Sequence, residues 1–337
     1  MENSFKGCLK EKAFKPVDRE RKNKNDGDSR WFGISDDFLL DYAKIVQSKS
    51  LRRLTSKTQA FCFPENPHVR SRLTYTMEVT ANNIQMADVL GLNVNLVMAG
   101  SMGHDVGHVP FGHVGERFLS KYTEKPFEHN IFGPIVLEKI EREGGGLNLR
   151  EETLQAILFH SGADFGKESE VEEYKLIKLG DKISYVFSDL NDANRFGYLS
   201  SIPDCVEKLG KNQRERVNTC IFGLFEESFE RGTVSFSRSE IASLYLETRD
   251  WMFKNVYSRA NTRVINEELS LAYEAICEDP RLKKYDPLVI FSVLTENGVR
   301  EIAQKGLSDE RLGYLGIKEI IPHLEKGKRY YDKYYPS

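Results

Sequence analysis

From "DDFLLDYAKIVQ" onward, apolar residues along this chain recur at three- and four-residue spacing. That is the period of an amphipathic helix rather than the alternation of a strand. The spacing predicts helices over about 35–48, 74–91, 94–104, 113–122, 128–142, 150–160, 171–194 and 202–210. Further helices are expected over about 212–231, 238–258, 261–277, 288–304 and 315–333. Strand character is confined to "QAFCF" (59–63) and "RGTVSF" (231–236), enough for a minor β-hairpin at most. Glycine clusters at 143–146 and 161–169 read as loops between helices. The expectation is an all-α fold in one compact domain, with a helical core over 35–200 and a helical C-terminal part over 201–337 packed on it. Residues 1–34 form a charged arm, because "KPVDRERKNKNDGDSR" has no apolar periodicity and reads as solvated.

Composition narrows the class. The 337 residues are 40% hydrophobic and 29% charged with a formal net charge of −3, which is ordinary for a soluble globular protein. A near-neutral balance gives no electrostatic footprint for wrapping nucleic acid. No apolar run approaches the roughly 20 residues that span a bilayer, and "MENSFKGCLKEKAF" lacks a secretory apolar core. The five cysteines are scattered with no CxxC pair, which argues against a disulfide framework and a thiolate zinc site. A reducing cytoplasm is the expected location.

The chemistry concentrates in "GHDVGHVPFGHVGERF" (103–118), where His104, Asp105, His108, His113 and Glu116 stand close together among glycines. Imidazoles with carboxylates suit a divalent cation of the magnesium, manganese, iron or nickel kind. Adjacent His-Asp cannot encircle an ion alone, so more ligands must arrive from other helices. In "EEYKLIKLGDKISYVFSDLNDA", Asp181, Tyr185 and Asp189 recur every four residues and share one helix face. Asp181 sits among apolar positions, where an unpaired carboxylate is costly. Asp189 and Asp192 also admit the plainer reading of a solvated charged face.

These residues carry a resemblance to a family. "LRRLTSKTQAF", "NPHVRSRLTYTMEV", "GHDVGHVPFGHVGE", "FEHN", "GLNLREETLQAILFHSG" and "LIKLGDKISYVFSDLND" occur in the order seen in HD-domain deoxynucleoside triphosphate triphosphohydrolases of the dGTPase-like branch. The resemblance covers about residues 50–200 and rests on several multi-residue blocks; beyond them only fragments such as "LETRDWMFKNVY" remain. It implies an HD-domain helical bundle that cleaves a dNTP to deoxynucleoside and triphosphate. It implies metal ligands at residue 75, His104, Asp105 and Asp181, with Mg²⁺ or Mn²⁺ foremost and Fe, Co or Ni as further candidates. His113 resembles the catalytic histidine with Glu116 as its orienting carboxylate. His108 and His129 resemble triphosphate contacts or proton-transfer partners, and Arg72 and Lys182 resemble phosphate ligands. Gln59, Tyr185 and Asp189 resemble the readers of deoxyribose and its 3′-hydroxyl. The resemblance also implies a homo-oligomer, tetramer or hexamer, with single-stranded DNA or a nucleotide effector as further candidate partners.

One position departs from the pattern. Where the family motif "RTRLTHSLEV" has histidine, this chain has Tyr75. A phenol with a pKa near 10 is a poor ligand for Mg²⁺ or Mn²⁺ at neutral pH. Two expectations therefore stand side by side: an enzyme whose metal rests on His104, Asp105 and Asp181, and a catalytically silent dNTP-binding or regulatory protein, alone or assembled with an active homologue.

Overall fold

A computed structural model describes residues 5–15, 21–22, 36–62, 66–161, 170–199, 201–259 and 262–336. The first half carries α1 (Asp37–Val46), α2 (Lys49–Arg53), α3 (Arg72–Leu90), α4 (Val94–Gly103), α5 (Gly112–Leu119), α6 (His129–Lys139), α7 (Glu151–Phe159) and α8 (Glu172–Arg195). The second carries α9 (Asp204–Leu209), α10 (Gln213–Arg231), α11 (Glu240–Asn255), α12 (Thr262–Glu278), α13 (Pro287–Ser292), α14 (Glu296–Lys305), α15 (Asp309–Tyr314) and α16 (Tyr330–Tyr334). The fold is all-α. Among the described residues no strand forms, and Thr58 and Ser71 make one isolated antiparallel bridge.

The all-α expectation, with a minor β-hairpin at most, holds. "RGTVSF" finds no partner strand because side chains take its donors: Val234 N donates to Glu172 and Ser235 N to the Ser228 hydroxyl. The helix expected over 288–304 breaks in two, since Thr295 caps the start of α14 through its hydroxyl. The helix expected over 315–333 reduces to short 3₁₀ turns and α16, around Gly316 and Gly327 with positive φ. Segment 162–169 and most of 15–30 lie outside the described residues. Arg21, expected on a solvated arm, instead reaches the buried Asp41 at 2.5 Å and the Asn148 carbonyl at 2.8 Å.

Burial explains the arrangement. Helix α4 packs against α1, α3, α7 and α8. One apolar cluster joins Leu96, Ile177 and Ile183 to Leu224, Ala242 and Met252, and a second joins Phe118 and Phe132 to Leu269, Phe291 and Tyr331. Both clusters cross residue 200, so the C-terminal helices complete the hydrophobic core instead of building their own. The candidate site lies where α3, α4, α5, α6, α7 and α8 converge.

Candidate active site

Two close approaches make the site. At Gly180 an added Cβ would stand 1.7 Å from Asn83 Oδ1, so α3 and α8 touch backbone to side chain one residue before Asp181. At Gly107 a Cβ would stand 2.1 Å from the His129 carbonyl. That glycine lets the turn after α4 lie against the start of α6. Ser71 caps α3 through its hydroxyl, which starts the helix at Arg72 and sets Tyr75 one turn in.

His104 occupies the centre. It is buried, and its Nδ1 lies 2.6 Å from the Ser101 carbonyl. A carbonyl only accepts, so the proton sits on Nδ1 and Nε2 is directed away. Nε2 stands 3.5 Å from Asp105 Oδ1 and 3.5 Å from Asp181 Oδ1, and makes no hydrogen bond. Desolvation opposes charge on this ring, yet the flanking carboxylates of Asp105 and Asp181 raise its pKa to about 9. Burial by itself would raise Asp105, but His104, Arg72 and His108 hold it well below the usual carboxylate range.

Tyr75 lies beside this pair and is 1% exposed. Its hydroxyl is 2.5 Å from Asp181 Oδ1 and 3.1 Å from the Asp181 carbonyl. Burial, and then the charge of Asp181, pushes the phenol well above its ordinary pKa, so it remains a proton donor. Asp181 is lowered despite desolvation, chiefly by His104.

A histidine array adjoins the centre. His108 Nε2 is 3.1 Å from Asp105 Oδ1, and its ring stacks on His129 at 3.6 Å and 15°. Desolvation, with Arg72 and His129 nearby, holds His108 well below its ordinary pKa, and its buried Nδ1 has no partner. Glu116 Oε1 accepts from the His129 amide at 3.0 Å and from His129 Nδ1 at 2.5 Å, while Oε2 accepts from His113 Nδ1 at 2.6 Å. Burial would raise Glu116, but His129 and His113 hold it well below the carboxylate range. His160 Nδ1 donates to the Ile157 carbonyl at 2.6 Å, which leaves its Nε2 to accept from His129 Nε2 at 3.0 Å. Both ring nitrogens of His129 are thereby engaged.

His113 is different, with a side chain 69% exposed. Desolvation opposes charge on this ring, but the hydrogen bond to Glu116 and the charge of that carboxylate together raise its pKa. Its Nδ1 is committed to that carboxylate, and Nε2 remains for exchange with a bound molecule.

The remaining expected residues fall as follows. Arg72 is buried and spent inward: Nη1 on Asp105 Oδ2 at 3.1 Å, Nε on the Thr58 carbonyl at 3.1 Å and Nη2 on the Gln59 carbonyl at 2.7 Å. Its Nη1 thereby clamps the Asp105 carboxylate. Lys182 makes no ion pair among the described residues, and burial, Lys178 and Arg249 lower its pKa. Asp189 is buried rather than solvated, bonded to the Tyr257 hydroxyl at 2.7 Å, with Oδ1 unpartnered; burial lifts it to about 7. Asp192 is buried as well, paired with Arg70 at 2.8 Å and Arg195 at 2.6 Å. The Gln59 side-chain oxygen is buried without a partner. Burial raises the Tyr185 phenol, which feels Arg249, Asp181 and Asp189.

Sequence reasoning missed Arg249, whose Nε is buried and unpartnered beside Lys182 and Tyr185. It also missed Tyr257, and both stand in the "LETRDWMFKNVY" fragment. Their spacing of eight, two helical turns, was the available signal. His160 read only as a helix-terminal histidine; it does close α7, but buried against His129.

The family model for the HD domain matches residues 73–186, the span from α3 to α8 that holds this centre. Deoxyguanosinetriphosphate triphosphohydrolase-like proteins match further. One from Clostridium tetani is 39% identical over 232 residues, 65% of this chain and 66% of that protein. One from Clostridium perfringens is 37% identical over 65% of this chain and 67% of that protein. One from Caldanaerobacter subterraneus is 36% identical over 72% of this chain and 71% of that protein. The chain belongs to this HD-domain family. The matched stretch spans about two thirds of each relative's length. HD domains hold divalent metals, and here the donors fit one: His104 Nε2 is an unspent imidazole nitrogen between two carboxylates. Two further donor sets in this HD domain, Asp105–His108–His129 and His113–Glu116–His129, bring their atoms within 4.8 Å of one another. His129 is common to both, and its two nitrogens are already engaged by Glu116 and His160. No helix among the described residues is long and apolar enough to cross a membrane.

Proposed function

We propose that the protein is a metal-dependent hydrolase that cleaves a deoxynucleoside triphosphate to deoxynucleoside and inorganic triphosphate. The observation that carries this reading is His104 Nε2, buried, unbonded and 3.5 Å from each of Asp105 and Asp181. The substrate class comes from the relatives' names and from the unspent groups around the centre.

His104, Asp105 and Asp181 would hold the ion, with Mg²⁺ or Mn²⁺ suited to the carboxylates. When bound, the ion supplies positive charge for phosphate oxygens and acidity for a water nucleophile. Arg72 fixes the Asp105 carboxylate. Lys182 and Arg249 offer unpaired cations to the triphosphate chain. His113, oriented and made more basic by Glu116, gives a proton to the departing 5′-oxygen. Gln59 and Asp189 present unpartnered oxygens that suit a sugar hydroxyl, and Tyr185 offers an aromatic wall for the ribose.

A second reading follows from the Tyr75 contact. Its hydroxyl takes the Asp181 oxygen that an ion would use, which favours a dNTP-binding protein with suppressed turnover. Chromatography of protein incubated with each dNTP and Mg²⁺, Mn²⁺, Fe²⁺ or Co²⁺ separates the two. Triphosphate release supports hydrolysis. Thermal stabilisation by a dNTP without triphosphate under any metal defeats turnover and supports binding alone.

A further inference from the structure

We propose that Glu296, at the start of α14, is a positioning residue for both the His113 turn and the Gln59 loop of the candidate site. The inference rests on the phosphohydrolase reading above, and it draws the C-terminal half, which lies outside the HD-domain match, into the machinery.

Glu296 is buried, and one of its oxygens collects three donors. Oε1 accepts from Phe111 N at 2.9 Å, Thr58 N at 3.1 Å and Thr58 Oγ1 at 2.7 Å. None of these belongs to its own helix. Phe111 is two residues before His113, and Thr58 immediately precedes Gln59. A single carboxylate oxygen therefore ties two loops that are far apart in sequence, each next to a residue of the site.

The Phe111 turn needs such a tie. Phe111 has φ +62° and is followed by Gly112 at φ +50°. A left-handed conformation is unfavourable for a residue with a Cβ, and it persists only where the surroundings enforce it. The hydrogen bond from the Phe111 amide to the Glu296 carboxylate is such an enforcement. That turn starts α5 and so determines where the His113 imidazole meets Glu116.

The Thr58 side of the tie reaches the centre by a second route. The Thr58 and Gln59 carbonyls receive Arg72, the arginine that clamps Asp105. A parallel strut leaves the same C-terminal segment: buried Lys57 donates to the Ser292 carbonyl at 2.7 Å and to the His108 carbonyl at 2.5 Å. Segment 292–296 thus braces the His108–His113 stretch and the Gln59 loop together.

The test compares Glu296→Ala with Glu296→Gln, each checked as folded by thermal melting and assayed well below its melting temperature. The amide oxygen of glutamine can keep all three donors, whereas alanine keeps none. Steady-state dNTP hydrolysis of Glu296→Ala is expected to lose kcat by roughly 10- to 100-fold, as a misplacement of about 1 Å does, with a smaller rise in KM. Glu296→Gln is expected to retain most of the parental kcat. A folded Glu296→Ala protein with kcat and KM within about twofold of the parent would overturn the proposal, as would a glutamine variant as impaired as alanine. Should the parent release no triphosphate with any metal, the hydrolase reading falls on its own. The inference is then read from the His113 imidazole NMR signal of the metal-free protein. Positioning predicts that this signal and its pH midpoint move toward free histidine in Glu296→Ala and stay parental in Glu296→Gln; an unmoved signal in the alanine variant contradicts it.

Discussion

The Tyr75 phenol donates to Asp181 Oδ1 across 2.5 Å, joining α3 to α8 at the point where His104 presents an unbonded nitrogen to the same carboxylate. On the proposed ligand set, the hydroxyl and a metal ion would compete for one oxygen. Removing the hydroxyl in Tyr75→Phe costs the metal-free protein about 1–3 kcal/mol, because a half-buried carboxylate loses its donor. On the same ligand set, bound Mn²⁺ would replace that partner. Thermal melts of Tyr75→Phe are expected to show a lower metal-free melting temperature and a larger Mn²⁺-induced rise than the parent. A smaller rise contradicts the competition.

Arg72 is expected to matter to folding and to chemistry together. Arg72→Met leaves Asp105 buried beside His104 without its cation, a break of the kind that costs about 3–5 kcal/mol. Urea unfolding checks this, and a loss below about 1 kcal/mol would show that Asp105 does not depend on the clamp.

Gly180 sets the approach of α8 to α3. In Gly180→Ala the new methyl meets Asn83 Oδ1 at 1.7 Å and Met86 Cε at 2.7 Å. The helices must separate at the residue next to Asp181, at a cost of roughly 1–3 kcal/mol. The hydrogen-bonded Tyr75 hydroxyl signal in the proton NMR spectrum is expected to disappear. Its persistence would mean that the helices accommodate a methyl without moving.

Asp189 carries a pH signature. Its folded pKa is about 7, raised from an ordinary 3.8 by burial. The folded protein keeps a proton that the unfolded chain has lost between about pH 4 and 7, so this group's contribution to stability falls as pH rises through that window and stays reduced above it. Asp189→Asn does not titrate. Relative to the parent it is expected to gain roughly 3–4 kcal/mol between pH 4 and pH 8, each pKa unit being about 1.4 kcal/mol. Denaturant unfolding at the two pH values checks this, and a pH-independent difference contradicts it.

Much of this molecule is legible in its sequence, for physical reasons. The 3.6-residue apolar period marks α3, α8, α10 and α11 to within two or three residues, because each buries one face against the core. The His104–Asp105 turn and the shared face of Asp181, Tyr185 and Asp189 follow from local spacing. What local spacing cannot show is the partner a side chain meets from elsewhere. Arg72 reads as a free cation until Asp105 and two carbonyls are seen to consume it. Asp192 reads as solvated until Arg70 reaches it from the α3 approach. Glu296 and Lys57 look like ordinary charges, yet each binds groups 185 or more residues away in sequence. The strand reading of "RGTVSF" fails likewise, since its amide donors are met by the Glu172 carboxylate and the Ser228 hydroxyl instead of a neighbouring strand.

On the proposed reading, the catalytic groups are intact and the Tyr75 hydroxyl, by holding Asp181, limits metal loading and turnover. The most direct measurement is triphosphate release from each dNTP by the parent and by Tyr75→His across a Mn²⁺ titration. Tyr75→His is expected to give product at lower Mn²⁺ and at a rate at least about tenfold higher than the parent, the effect of roughly 1.4 kcal/mol in transition-state stabilisation. A parent that loads Mn²⁺ as tightly and turns over as fast as Tyr75→His would contradict that reading.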